Sequence, residues 1–118
     1  MKNILSFNDF KNQLDEKLVS LGYKKYSLLQ TTEYCLQYKN VWLIESFYCF
    51  FRINSSHKWV EYVDNKEHNP LDQHSAIEKN ELTFDNLEKL VKLAGDIIAK
   101  FKKDKIEKKI EEISKDFV

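Results

Sequence analysis

Residues 26–63 read YSLLQTTEYCLQYKNVWLIESFYCFFRINSSHKWVEYV, and this stretch decides the fold. Aromatic and β-branched side chains, which are enriched in strands, dominate it. Two polar interruptions, at Lys39-Asn40 and at residues 54–57, divide the stretch into three runs. The pattern therefore predicts an antiparallel β-meander of at least three strands.

The interruption at Lys39-Asn40 sets the predicted register. A two-residue hairpin loop there pairs Tyr38 with Val41, Leu36 with Leu43, Tyr34 with Glu45, Thr32 with Phe47, Leu28 with Phe51 and Tyr26 with Ile53. One face is then almost wholly apolar, with Glu45 as the misfit, so we assign this face to the core beneath the helices. Glu45 predicts either a β-bulge near Glu45-Ser46 or a charge at the sheet margin.

The opposite face of the predicted sheet is also rich in apolar side chains. It carries Leu29, Trp42, Ile44, Tyr48, Phe50, Trp59 and Val63. Two interpretations remain open, because such a face is too apolar for free solvent. Either residues 64–82 or the C-terminal helix fold over it, or it binds a partner, for which Trp and Tyr are favoured anchors.

Helical patterns flank the predicted strands. Ser6 and Gly22 bracket an apolar series with steps of three and four residues, which predicts a capped amphipathic helix. Thr83 precedes a longer helical pattern that runs to Phe117, with a phase slip at residues 102–105 that suggests a bend or break. Residues 64–82 hold the only proline and predict a long irregular connection. The order predicts an α+β fold.

Length and composition agree with one domain over residues 1–118. The chain is 42% hydrophobic and 32% charged, and its 19 acidic residues balance its 19 basic residues. This balance does not favour a polyanion, so we expect no nucleic-acid partner. The chain shows no signal-peptide core and no stretch of roughly 18 apolar residues that would span a bilayer. We therefore expect a cytoplasmic protein with no membrane partner.

The residues that often carry chemistry form no recognisable site in the sequence. In the predicted register Cys35 and Cys49 lie on opposite faces of the sheet, which favours two free thiols over a disulfide. His68 and His74 lie among acidic residues, but their spacing matches no zinc motif. We therefore predict no catalytic residue, no metal site, no cofactor and no enzymatic activity. An enzyme or ligand carrier would need His68 and His74 to converge on a pocket.

Charge is distributed unevenly along the chain. Residues 61–81 carry six acidic and two basic side chains, whereas residues 100–109 carry six lysines and two acidic side chains. The lysine run is typical of a solvated helix side, with a patch for nucleic acid or an acidic partner as the alternative. The acidic run is either a solvated loop or, beside exposed aromatic rings, a surface suited to a basic partner such as a nuclease cleft.

The order and composition of these elements resemble the immunity proteins of bacterial polymorphic and contact-dependent toxin systems. The resemblance lies in the capped helix of residues 7–22, followed by an aromatic meander that contains VWLIE at 41–45 and WVEYVD at 59–64. It implies a non-enzymatic inhibitor that binds one cognate toxin domain and blocks its active site or its access to a cofactor protein. The resemblance assigns no binding residue by position.

We predict partner contacts from the acidic run and the second apolar face. The predicted contact residues are Trp59, Glu61, Asp64, Glu67, Asp72, Trp42 and Tyr48. The alternative function is a homo-oligomeric adaptor or chaperone-like module, which would form a homodimer or larger assembly. Such a module would bury either the second apolar face or the stripe of Ile106, Ile110, Ile113 and Phe117 against its own copy.

Overall fold

A computed structural model describes residues 4–39, 45–64 and 74–116 of the chain, without the side chains of residues 38, 39, 45, 46 and 104–116. The elements in chain order are α1 (Phe7–Leu21), β1 (Lys24–Ser27), β2 (Thr31–Lys39), β3 (Glu45–Asn54), β4 (Trp59–Tyr62), β5 (Ser75–Ile77), a short 3-10 helix (Lys79–Glu81) and α2 (Phe84–Asp116). The predicted α+β fold, with a helix at each end of an antiparallel sheet, is confirmed.

Both ends of α1 are capped as the sequence predicts. The Ser6 side chain accepts a 3.1 Å hydrogen bond from the backbone N–H of Asp9. Gly22 ends the helix with φ of 110°, a left-handed conformation that costs glycine little, and its N–H reaches the carbonyls of Leu18 and Val19. These caps satisfy backbone groups that would otherwise lack helical partners.

The helix α2 begins where predicted, with the Thr83 hydroxyl accepting a 3.2 Å hydrogen bond from the N–H of Asn86. It then continues through residues 102–105 to Asp116, so a break at the phase slip is wrong. The slip moves the apolar stripe around the helix, but neither Gly nor Pro is present there to interrupt the backbone hydrogen bonds. At 33 residues, α2 is about 50 Å long.

The sheet has five strands in the order β1-β2-β3-β4-β5, and each neighbouring pair is antiparallel. A turn splits the first predicted strand into β1 and β2, where the N–H of Leu28 donates to the carbonyl of Thr31 (2.8 Å). The predicted connection at 64–82 contains β5 and the 3-10 helix, so it is not irregular throughout. Residues 65–73 lie outside the described ranges.

The predicted register between β2 and β3 is wrong. Tyr34 lies opposite Phe51 rather than Glu45, and Thr32 lies opposite Ile53 rather than Phe47. The pairing here differs by six positions from the one that a two-residue loop at Lys39-Asn40 predicts, and residues 40–44 lie outside the described ranges. An even shift keeps side chains on their faces, so these four paired residues are still buried.

A β-bulge is present, but it lies at Phe50 rather than near Glu45-Ser46. Tyr34 pairs with Phe51 and Cys35 pairs with Cys49, which leaves Phe50 as the extra residue of β3. Phe50 and Phe51 therefore both enter the core, each with no exposed surface. The placement of Phe50 on the opposite face was wrong.

The core lies between one face of the sheet and the two helices. Val63 is fully buried within it, against the prediction that placed Val63 on the opposite face. The ring of Tyr23 packs edge-on against Phe51 at 5.5 Å, and its hydroxyl donates a 2.8 Å hydrogen bond to the carbonyl of Ala94 in α2. Among the described residues, no helix combines the length and apolar character needed to cross a bilayer.

Candidate interaction face of the sheet

The sheet presents a second face, turned away from the core. We call it the open face and define it by the alternating strand positions Lys24, Tyr26, Glu33, Cys35, Phe47, Cys49, Arg52, Trp59, Glu61 and Ala76. The buried clusters of both helices pack against the other side of the sheet. Within the described ranges, the open face is therefore the side of the sheet on which neither helix packs.

An aromatic pair occupies the open face across the first three strands. The rings of Tyr26 and Phe47 meet edge-on with centroids 5.4 Å apart, and the Lys24 ammonium lies 5.5 Å from the centre of the Phe47 ring. Tyr26 is 39% exposed and Phe47 is 47% exposed. Because β2 lies between their strands, the two rings meet above Cys35, which accounts for the burial of that residue.

Charges of alternating sign cross the middle of the open face. Arg52 on β3 lies between Glu33 on β2 and Glu61 on β4, which are its direct cross-strand partners. Its guanidinium forms hydrogen-bonded ion pairs with both carboxylates, at 3.2 Å to Glu33 and 3.3 Å to Glu61. These pairs orient the three side chains, although their partial exposure limits their effect on stability.

Trp59 lies where β4 begins, next to the turn that joins β3 to β4. The His57 and Trp59 rings stack with centroids 4.4 Å apart and planes 14° from parallel. Asn54 stabilises the turn by accepting a 2.9 Å hydrogen bond from the N–H of His57. The buried indole Nε1–H of Trp59 finds no hydrogen-bond partner among the described residues.

The two cysteines lie on the same face of the sheet, so their predicted placement on opposite faces was wrong. The bulge at Phe50 makes Cys35 and Cys49 direct cross-strand partners, and both are free thiols. Their contact lowers the pKa of Cys35, whereas the same contact and burial raise the pKa of Cys49. The Cys49 thiol donates a 3.2 Å hydrogen bond to the carbonyl of Phe51.

The predicted contact residues are distributed over several places. Trp59 and Glu61 lie together on the open face, and Asp64 is exposed just beyond β4. Tyr48 is partly buried and packs against the core instead. The remaining predicted residues Trp42, Glu67 and Asp72, together with His68, lie outside the described ranges, while His74 immediately precedes β5.

Sequence reasoning missed the other members of the open face. It assigned Tyr26 and Phe47 to the core and singled out neither Glu33 nor Arg52. Glu33 and Cys35 lie two residues apart in the sequence, which was a usable signal that they share one face of a strand. Their partners on β3 could not be assigned in the same way, because that pairing depends on the bulge.

Comparison with models of protein families, with curated proteins and with solved structures found no match to this chain.

Proposed function

We propose that this protein is a non-enzymatic inhibitor that binds a partner protein through its open face, as immunity proteins bind their cognate toxin domains. The observation that carries the proposal is the exposed pair of Tyr26 and Phe47 on the side of the sheet opposite the described helices. Aromatic rings supply large contact areas at interfaces, and edge-to-face packing fixes these two before a partner arrives.

The charges near β4 and β5 support a partner with a basic surface. Asp64, Glu78 and Glu81 are exposed there, whereas Glu61 is already paired with Arg52. Exposed acidic side chains on a binding protein accelerate encounter with a basic partner and favour its correct orientation. The proposed interface therefore combines an aromatic contact on β1 and β3 with an acidic margin beyond β4.

Site-specific photocrosslinking in the native host tests this proposal. A photoreactive phenylalanine analogue replaces Phe47 on the open face or, as a matched control, Phe84 in the helical layer. The two side chains are 47% and 50% exposed, so their accessibility is nearly equal. We expect one protein to crosslink at position 47 and not at position 84.

The crosslinked protein then permits a direct measurement of inhibition and affinity. We expect Tyr26→Ala and Phe47→Ala each to weaken binding about tenfold or more, as truncation of a central aromatic contact does. Val19→Ala, a change at a 47% exposed position on α1, serves as the control and leaves affinity unchanged. Crosslinking at position 84 alone, or a bound partner that retains its full activity, would contradict the proposal.

A homo-oligomeric adaptor is the second candidate, and the length of α2 favours it. The 33 residues of α2 far exceed the 15 residues of α1, and the chain measures 61 Å in its longest dimension against 30 and 25 Å in the others. On this continuous helix the sequence places Ile106, Ile110 and Ile113 along one side.

Light scattering over a range of protein concentrations tests self-association. The adaptor function predicts a dimer or larger assembly that Ile110→Lys dissociates, because a charge in an apolar helix contact is poorly solvated. A concentration-independent monomer would exclude this candidate and leave the inhibitor proposal in place.

A further inference from the structure

Three potential metal ligands converge on the open face, although they are distant in sequence. The Sγ atoms of Cys35 and Cys49 and a carboxylate oxygen of Glu33 all lie within 4.8 Å of one another. The pairing of Cys35 with Cys49 brings the sulfurs together, and Glu33 lies two residues before Cys35 on the same face of β2.

We propose that Glu33, Cys35 and Cys49 bind one divalent cation of the zinc class, with a fourth coordination position open to water or to a ligand from a partner. Two thiolates and one carboxylate form a donor set that zinc accepts. In a tetrahedral zinc site neighbouring ligand atoms are about 3.7 Å apart, given metal–sulfur bonds of about 2.3 Å. Small side-chain rotations suffice to reach this spacing from the observed one.

Arg52 supplies the supporting contact that a ligating carboxylate needs. Its Nε and Nη2 both lie 3.2 Å from Oε1 of Glu33, which holds the carboxylate in place. Because both contacts use the same oxygen, neither of them occupies Oε2. Binding requires the Cys35 and Cys49 thiols to release their protons to solvent. The two thiolates so formed, with Glu33 and Glu61, carry four negative charges, of which Arg52 offsets one. A divalent cation would offset most of the remaining negative charge.

The arrangement also shows how an ion would reach the site. Cys35 is 3% exposed beneath the Tyr26–Phe47 pair, whereas Cys49 retains partial exposure. The ion therefore enters beside Cys49, and the open coordination position faces the same side as the proposed partner surface. Metal binding does not depend on the proposed inhibitory function and is tested on the purified chain alone.

Titration of the reduced, metal-free protein with Co²⁺ tests the site, because Co²⁺ replaces Zn²⁺ and is visible in absorption spectra. We expect one equivalent to produce a thiolate-to-cobalt charge-transfer band and the ligand-field bands of a tetrahedral site. Addition of Zn²⁺ should abolish both signals. A thiol-reactive dye should then label the Zn²⁺-loaded protein more slowly than the metal-free protein.

Matched variants identify the ligands. Cys49→Ser should remove the charge-transfer band or halve it, and Glu33→Gln should weaken metal affinity at least tenfold. Glu61→Gln is the control, because Glu61 also pairs with Arg52 and has a side-chain exposure of 26% against 24% for Glu33, yet lies outside the ligand cluster. Circular dichroism confirms that each variant is folded.

Three results would overturn the metal site. One is the absence of a cobalt spectrum from the folded, reduced protein, and another is an equal loss of affinity in Glu33→Gln and Glu61→Gln. The third is rapid oxidation by mild peroxide to a Cys35–Cys49 disulfide in protein that takes up no Co²⁺. Loss of the cobalt site would leave the photocrosslinking result at Phe47 unaffected.

Discussion

The hydroxyl of Tyr34 donates a 2.5 Å hydrogen bond to Oδ1 of Asp15, which joins the centre of the sheet to α1. Tyr34 is fully buried, whereas Asp15, in the middle of α1, is partly exposed. Lys25 on β1 forms a 2.8 Å ion pair with the same carboxylate oxygen. Three elements therefore meet at one acidic group, which orients α1 on the sheet.

Removal of the Tyr34 hydroxyl should destabilise the protein. We expect Tyr34→Phe to lower the free energy of unfolding by about 1.5 kcal/mol, because its partner is a charged group that would lose a buried donor. Urea unfolding measures this change. Tyr26→Phe, at an exposed position on the open face, is the control and should stay within about 0.5 kcal/mol of the wild type.

The contribution of Asp15 to the free energy of unfolding should depend on pH. Burial raises the pKa of its carboxyl, but the hydrogen bonds from Lys25 and Tyr34 outweigh burial and hold the pKa below its usual 3.8. A lowered folded-state pKa stabilises the protein above the unfolded-state pKa, and this stabilisation is lost as pH falls through the folded-state pKa. The free energies of unfolding of wild type and Asp15→Asn, measured in urea, should differ by a constant amount near neutral pH. This difference should disappear as the pH falls below about 4. A difference that persists unchanged into strong acid would contradict this account.

The bulge at Phe50 predicts opposite outcomes for two phenylalanines on β3. Phe50→Ala should cost about 3–5 kcal/mol of unfolding free energy, because it leaves a cavity in the core. Phe47→Ala removes a ring that is 47% exposed and should cost about 1 kcal/mol or less. The two-residue hairpin register predicts the reverse order, so denaturant unfolding of both variants distinguishes the registers.

The two glycines should respond differently to alanine. Gly22→Ala should destabilise the protein by about 1–2 kcal/mol, because a side chain is strained at the φ of 110° that ends α1. Gly95→Ala should stabilise it by about 0.5–1 kcal/mol, since the added methyl group meets no other element of the described chain within 4 Å and alanine favours the interior of α2. Thermal unfolding of the two variants should therefore shift in opposite directions.

The sequence was informative where structure depends on neighbouring residues. Ser6, Gly22 and Thr83 mark helix ends through contacts within one turn, and all three cap as predicted. The helical spacing of apolar residues also identified the side of each helix that enters the core. The strand-rich character of residues 26–63 was equally local, so the α+β class followed from sequence patterns.

The register was less predictable because it depends on loop length and on a single inserted residue. A sequence pattern did not reveal that Lys39 pairs with Glu45, or that Phe50 is the extra residue. Beyond the bulge the pairing moves by an odd number of positions relative to the two-residue hairpin, so Phe47 and Cys49 no longer face where predicted.

The sequence by itself determined the helices with their caps, the presence of an antiparallel sheet and most of the core, because hydrogen bonds and hydrophobic periodicity within short segments specify them. Only the tertiary structure brought Cys35 to Cys49, Tyr26 to Phe47 and Arg52 to its two glutamates. Those contacts join different strands, and their geometry follows from long-range packing around the Phe50 bulge, which no short segment of the chain encodes.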